Sequence, residues 1–208
     1  CAEVDSIVAN KKLFDQHNID LPTNYSEFTA AIDAFEQLGI KGFDTDWYYD
    51  YTCLETMQGS AIPELMSLEG TSWRRAYESE TEGHQVGLDD VVWPVVFEKY
   101  EQFLKDVHFE KGSEEQQFTV TTQPFLIGET AMIRNTAAFA VCVTLEKEMV
   151  AAVMLPYFGE TSEDNWVLTY PMCQLAVSAE VAKDSAKEAA VNEVLMAIFS
   201  DDGQKHVA

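Results

Sequence analysis

The sequence predicts an α/β fold. Short apolar runs of strand length alternate with segments whose apolar residues recur at helical spacing, the pattern of strands packed under helices. A full helix-start signature stands at Pro22-Thr23-Asn24-Tyr25-Ser26-Glu27. The chain has 208 residues, 47% hydrophobic and 12% aromatic, enough to bury a core of its own.

Residues 3–9 are mostly apolar and turn polar at Asn10, Lys11 and Lys12, as a strand does on entering a loop or helix start. Asn24 is placed to cap a helix, and Glu27 to reach back to the free backbone N–H at the cap. Phe28, Ala31, Ile32, Phe35 and Leu38 then repeat at helical spacing until Gly39 stops the helix. Residues 40–43 read as a short strand, 44–51 as an aromatic and acidic stretch, and 52–58 as a helix. Residues 71–88 are polar and are expected to be loop-rich. After Asp89-Asp90 a helix carries Val92, Val96, Phe103, Leu104 and Val107 on its apolar face, with Pro94 tolerated in its first turn. Residues 110–117 form a charged connection, 131–134 and 151–155 read as strands, and 185–199 as a long amphipathic helix bearing Ala186, Ala190, Val194, Leu195 and Ile198. There is no internal repeat, low-complexity tract or clear linker.

Thirteen lysines and arginines against 36 aspartates and glutamates give a formal charge of -23. Such a surface repels phosphate backbones and anionic lipid, which argues against a nucleic-acid partner. No apolar run has membrane-spanning length, and no basic-then-apolar leader opens the chain. Cys1, Cys53, Cys142 and Cys173 lack CxxC spacing, so they outline neither a zinc site nor a disulfide framework. Cys1 invites reading as the lipid-bearing first residue of a lipoprotein, but the residues after it behave as an interior strand.

Asp44 and Asp46 form a carboxylate pair of the kind a glycosidase uses, although with so many acids chance pairs are expected. Asp44, Asp46 and Asp50 sketch a calcium loop that lacks the turn glycine and the distal glutamate. His17, His84, His108 and His206 are scattered, with no HExxH, and GxSxG and phosphate-binding glycine loops are absent. Trp47, Tyr48, Tyr49 and Tyr51 are the most informative cluster. Sugar C–H faces pack on such rings while neighbouring acids accept from hydroxyls, and the competing reading is a core beneath a loop. Trp73 and Trp166, isolated in polar surroundings, read as packing or rim residues.

Several stretches, in order, resemble the family 1 extracellular solute-binding proteins of ABC importers, the group of the maltose and multiple-sugar binders. These are Asn10-Lys11-Lys12-Leu13-Phe14, the Pro22 to Glu27 helix start, and Phe125-Leu126-Ile127-Gly128-Glu129-Thr130-Ala131-Met132, similar to the family's Phe-x-x-Gly-Glu/Lys-x-Ala-Met. Val153-Met154-Leu155-Pro156, then Ala176-Val177-Ser178, and a helix ending in Ser200-Asp201-Asp202-Gly203-Gln204 complete the series. The resemblance covers nearly the whole chain.

It implies a periplasmic binding protein-like II fold, here mainly the carboxy-terminal lobe with hinge-crossing strands. Residues 1–175 would be that second lobe, starting at the hinge, with its body from about Ser6 to Met172. Residues 176–208 would be a crossing strand and helix returning toward a first lobe. On this alignment the family's hinge-side acid falls on Glu3, and its sugar-facing aromatic segment falls around Tyr48, Tyr49 and Thr52. The family often has a stacking tryptophan after Ala-Met, whereas here only Phe139 could substitute. Tyr170-Pro171-Met172 stands where family glycines let the backbone approach the ligand, so a familiar maltose pocket is not expected.

The implied ligand-binding set is Glu3, Asp44, Asp46, Trp47, Tyr48, Tyr49, Phe139 and Tyr170, with no catalytic residue, metal or cofactor. The implied role is capture of an extracytoplasmic sugar or other small solute for ABC permease subunits, at the cell surface or in the periplasm, with a lipid anchor outside this chain. The alternative is a carbohydrate-active hydrolase or accessory carbohydrate-binding domain. The helix face of Ala190, Val194, Leu195 and Ile198 is expected to be exposed or re-packed, its partners belonging to the first lobe.

Overall fold

Residues 2–79, 86–115, 118–146, 150–171 and 175–207 are described by a computed structural model. Cys1, His84, Met172 and Cys173, named above, lie outside the described residues, as does Gln117 at the end of the charged connection. The chain divides into a larger unit, Val4–Thr169, and a smaller one made of Cys1–Glu3 and Tyr170–Ala208.

Strand β1 (Ala2–Asn10) pairs antiparallel with both β3 (Thr130–Thr136) and β4 (Ala152–Leu155). Strand β2 (Lys41–Asp44) joins β3 in parallel, so the strand order is β2-β3-β1-β4, and β5 (Leu168–Pro171) also pairs with β1. A strand with neighbours on both sides, covered on both faces, favours a continuous apolar run and tolerates a buried polar group only where it is partnered. Ile7, Val8 and Ala9 of β1 are accordingly buried.

Their alternation separates two cores. Ile7 and Ala9 face Phe14 of α1 (Lys11–His17), Phe28, Ile32 and Phe35 of α2 (Tyr25–Gln37), and Phe103 of α6 (Val92–Asp106). Val8 joins Phe125 of α7 (Phe118–Ile127), Ala140 and Val143 of α8 (Ala137–Glu146), and Val150. Helices on both faces of a mixed sheet make a three-layer α/β unit. A third cluster of Ala61, Val92 and Val96 ties α6 to α3 (Asp50–Ser60), α4 (Ile62–Met66) and α5 (Leu68–Glu78), through Met57, Leu65 and Trp73.

The α2 start differs in one detail from its expected form. Asn24 Oδ1 accepts from the Glu27 N–H at 3.0 Å, as a cap should. The Glu27 carboxylate, however, accepts from the backbone N–H and hydroxyl of Thr23, each at 2.8 Å, one residue before the cap. These bonds hold the exposed Glu27 carboxyl below its ordinary pKa. Gly39 follows the helix at φ +75, the left-handed conformation a side chain resists.

The loop expected over 71–88 is corrected for its first part, since Leu68–Glu78 is helical. The Ser67 hydroxyl caps it by accepting from Gly70 N–H at 3.0 Å. Gly70 is the one buried residue of α5, lying against the backbone oxygens of Glu64 and Leu65, while Trp73 packs half-buried against the third cluster, so an inner face built on a glycine and a single indole among polar residues reads as a loop in the sequence.

In the smaller unit, Asp184 caps α9 (Ser185–Ile198) by accepting from the N–H groups of Ala186 and Lys187, and α10 (Asp201–Val207) follows. Ala190 and Val194 of α9 are exposed, and Leu195 and Ile198 are half-buried.

Candidate ligand-binding site

Parallel pairing of β2 and β3, with Phe43 opposite Met132 and Asp44 opposite Ile133, brings both carboxyl ends out at the same end of the sheet. From β2 the chain runs through Thr45 to Tyr49 into α3, and from β3 it turns at Thr136 into α8. Antiparallel β1 puts Asp5 opposite Thr136 at that same end. Open α/β sheets bind ligands beyond their strands' carboxyl ends, where loops diverge and side chains converge.

Asp44 and Asp46 are both buried in the loop after β2. Asp44 accepts from Lys41 Nζ at 2.8 Å with one oxygen and from Thr45 N–H at 2.9 Å with the other. It is thus committed to holding the loop. Burial raises the pKa of Asp46, opposed by its own backbone N–H, the Thr52 hydroxyl and the Arg134 charge.

The aromatic run divides. Trp47 is buried in the main core and meets Phe109 edge-on at 5.1 Å. Tyr48 is 50% exposed and Tyr49 half-buried, with ring centroids 5.0 Å apart. Tyr49 in turn stacks on the exposed Tyr51 at 5.4 Å. Three tyrosine rings therefore cover the loop and the first turn of α3.

Phe139, half-buried on α8, packs 6.1 Å from Phe125 against the second core. Glu3, buried, and Tyr170, half-buried, belong to the smaller unit. Trp73 donates to Gly87 O at 3.0 Å and stacks on Tyr77, and Trp166 donates to Gly59 O. The calcium sketch is not realised: among the described residues no three His, Cys, Asp or Glu side chains converge to hold a metal.

A charged network at the same end of the sheet was not anticipated. Arg134 of β3 forms ion pairs with buried Asp5 on β1 and with Glu55 on α3. Tyr157 donates its hydroxyl to Asp5 Oδ1 at 2.8 Å. Burial pushes the Asp5 carboxyl up to about 6 even though Arg134 and Tyr157 pull it down. One signal was available: each charge interrupts an apolar strand run, and a charge forced inside needs a partner there. The Tyr157 ring also lies against Gly59 of α3, where a side chain would collide with it.

A three-layer α/β unit with mixed strand order β2-β3-β1-β4 and an aromatic loop at its carboxyl edge has the fold of the extracellular solute-binding proteins. No family model and no curated protein matches the sequence. Solved structures do match. A sugar transporter from Bacillus licheniformis in complex with stachyose is similar over 100% of this chain and 52% of its own, at 10% identity and a TM-score of 0.69. A chitin oligosaccharide binding protein is similar over 99% and 50%, at 14% identity and a TM-score of 0.66. A family 1 extracellular solute-binding protein from Bifidobacterium longum subsp. infantis is similar over 98% and 51%, at 15% identity and a TM-score of 0.64. The likeness is one of fold, and the chain spans about half the length of each of these proteins. Among the described residues no helix is long and apolar enough to cross a membrane.

Proposed function

We propose that the chain is the sugar-contacting lobe of an extracytoplasmic solute-binding protein that captures a saccharide and passes it to an ABC permease. It carries out no chemistry, needs no cofactor, and is held at the membrane by a lipid anchor outside these residues. The observation that supports this most is the Tyr48–Tyr49–Tyr51 cluster over the carboxyl end of the sheet, with Tyr48 and Tyr51 exposed and Tyr49 half-buried between them. Tyrosine combines a flat apolar face for sugar C–H groups with a hydroxyl for theirs. The proteins of similar fold include ones named for chitin oligosaccharide and ones in complex with raffinose or stachyose. Phe139 extends the proposed ligand set within the larger unit, Trp47 backs the loop from the core, and Asp44 and Asp46 brace it from within.

One lobe offers part of the contacts of a two-lobed cleft, so the affinity expected of these 208 residues is millimolar, about 4 kcal/mol. Titration with raffinose, stachyose and chitin oligosaccharides, followed by amide NMR, should give saturable shifts at Tyr48, Tyr49 and Tyr51. Absence of shifts there with every sugar sinks the reading. So does glycoside turnover that disappears in Asp44→Asn or Asp46→Asn, which would favour the hydrolase.

A further inference from the structure

A concave site opens at the other end of α3 from the tyrosine cluster. This helix is eleven residues long, about 16 Å of rise, with the tyrosine cluster at one end and Ser60 at the other. At the Ser60 end lies a cavity of about 520 Å³, walled by α2, α3, α4, α6 and the segment from Phe158 to Trp166. All of its lining residues belong to the larger unit. The volume lies within the range of small-molecule pockets.

The cavity is built and braced. Tyr25 N–H donates to Gly159 O at 2.9 Å, Asn165 Nδ2 donates to Thr23 O at 2.7 Å, and Gly159 N–H donates to Asn165 Oδ1 at 2.9 Å. These bonds fasten the Phe158–Trp166 wall to the start of α2. Asp106 accepts from the Tyr25 hydroxyl at 2.7 Å and from Gln102 Nε2 at 2.8 Å. It thereby turns both polar groups into fixed positions, leaving the Gln102 carbonyl oxygen and the Tyr25 lone pairs as acceptors.

The lining selects among ligand classes. Tyr25, Phe103, Phe158 and Trp166 supply aromatic surface, while Gln102, Glu160 and Asp164 supply acceptors. Lys99, the one cation among the described lining residues, is paired with Glu64. An anionic ligand would meet Glu160 and Asp164, and a hydrocarbon would strand the acceptors against an apolar surface. A neutral polyhydroxyl ring satisfies both, with C–H faces on the aromatic rings and hydroxyls donating to the acceptors. We infer that this cavity is a second saccharide site, about one helix length from the tyrosine cluster. The inference extends the sugar-binding reading to a place none of the sequence-predicted ligand residues occupies.

The test is the same amide NMR titration with raffinose, stachyose and chitin oligosaccharides, read at Ser60, Gln102, Gly159 and the Trp166 indole N–H. Saturable shifts are expected there, and Gln102→Trp, which fills the cavity from an exposed helix position, should abolish them while shifts at Tyr48 and Tyr49 persist. Glu160→Ala should weaken cavity binding about tenfold, the loss of about 1.4 kcal/mol. Shifts confined to the tyrosine cluster overturn this inference and leave the proposed function standing. Shifts confined to the cavity support it and overturn the tyrosine site instead. Silence at both places overturns both.

Discussion

Asp5 and Arg134 form a buried ion pair between adjacent strands β1 and β3, their side chains at 0% and 7% exposure, and Tyr157 donates to the same carboxylate. The pair stands at the end of the sheet that carries the tyrosine loop, and Arg134 also engages Glu55 of the helix that follows that loop. It therefore fastens α3, and with it the rings of Tyr49 and Tyr51, to the sheet.

Removing one member of a buried pair leaves the other charge unpaired in a poorly solvated place, at a cost of about 3–5 kcal/mol. Arg134→Ala should lose that much stability in urea denaturation at pH 7.5. The loss should shrink near pH 5, where Asp5 takes up a proton and no longer needs the cation. An equal loss at both pH values would show that packing and not charge is what Arg134 supplies.

Asp5 itself gives stability a definite pH dependence. Its carboxyl titrates at about 6 in the folded protein against 3.8 ordinarily, because burial penalises the charged form. Between those values the folded state holds a proton that the unfolded chain has released, so this contribution is complete below pH 4 and is lost as pH rises to 6. The shift corresponds to on the order of 3 kcal/mol. Denaturation across this window should show the decline in the native chain and its absence in Asp5→Asn, against whatever slope the other acids impose on both.

The adjacent aromatic residues should behave in opposite ways. Trp47→Ala empties a core position and should cost about 3–5 kcal/mol of stability. Tyr48→Ala, at a half-exposed ring, should leave the melting temperature nearly unchanged and weaken sugar binding about tenfold. Thermal melts paired with sugar titration separate the two. A stable Trp47→Ala chain would contradict the burial of the indole.

Asn24→Ala removes the side-chain acceptor for Glu27 N–H and should cost about 1 kcal/mol. Thr23 should matter as well, since its hydroxyl and N–H both reach the Glu27 carboxylate. In a urea series, Thr23→Ala keeps its N–H bond and should therefore lose less than Asn24→Ala.

What the sequence by itself determined lies where the physics is local. The cap at Asn24, the stop at Gly39, the apolar stripe of α2 and the strand runs of β1 to β4 all depend on residues within a few positions of one another. Those signals suffice for an α/β fold. They failed at α5, whose inner face rests on Gly70 and the half-buried Trp73 among polar residues, and at α7 and α8, which are apolar on most sides and so lack a helical stripe. Tertiary structure alone decided what each residue of the aromatic run does, because a sequence period cannot tell a ring turned into the core, as in Trp47, from one left at the surface, as in Tyr48. It also decided the pairing of Tyr157 with Asp5 across 152 positions, and the cavity assembled from α2, α3, α6 and the 158–166 segment. Contacts of that kind arise when the sheet and its two helical layers close on one another, and no local rule encodes them.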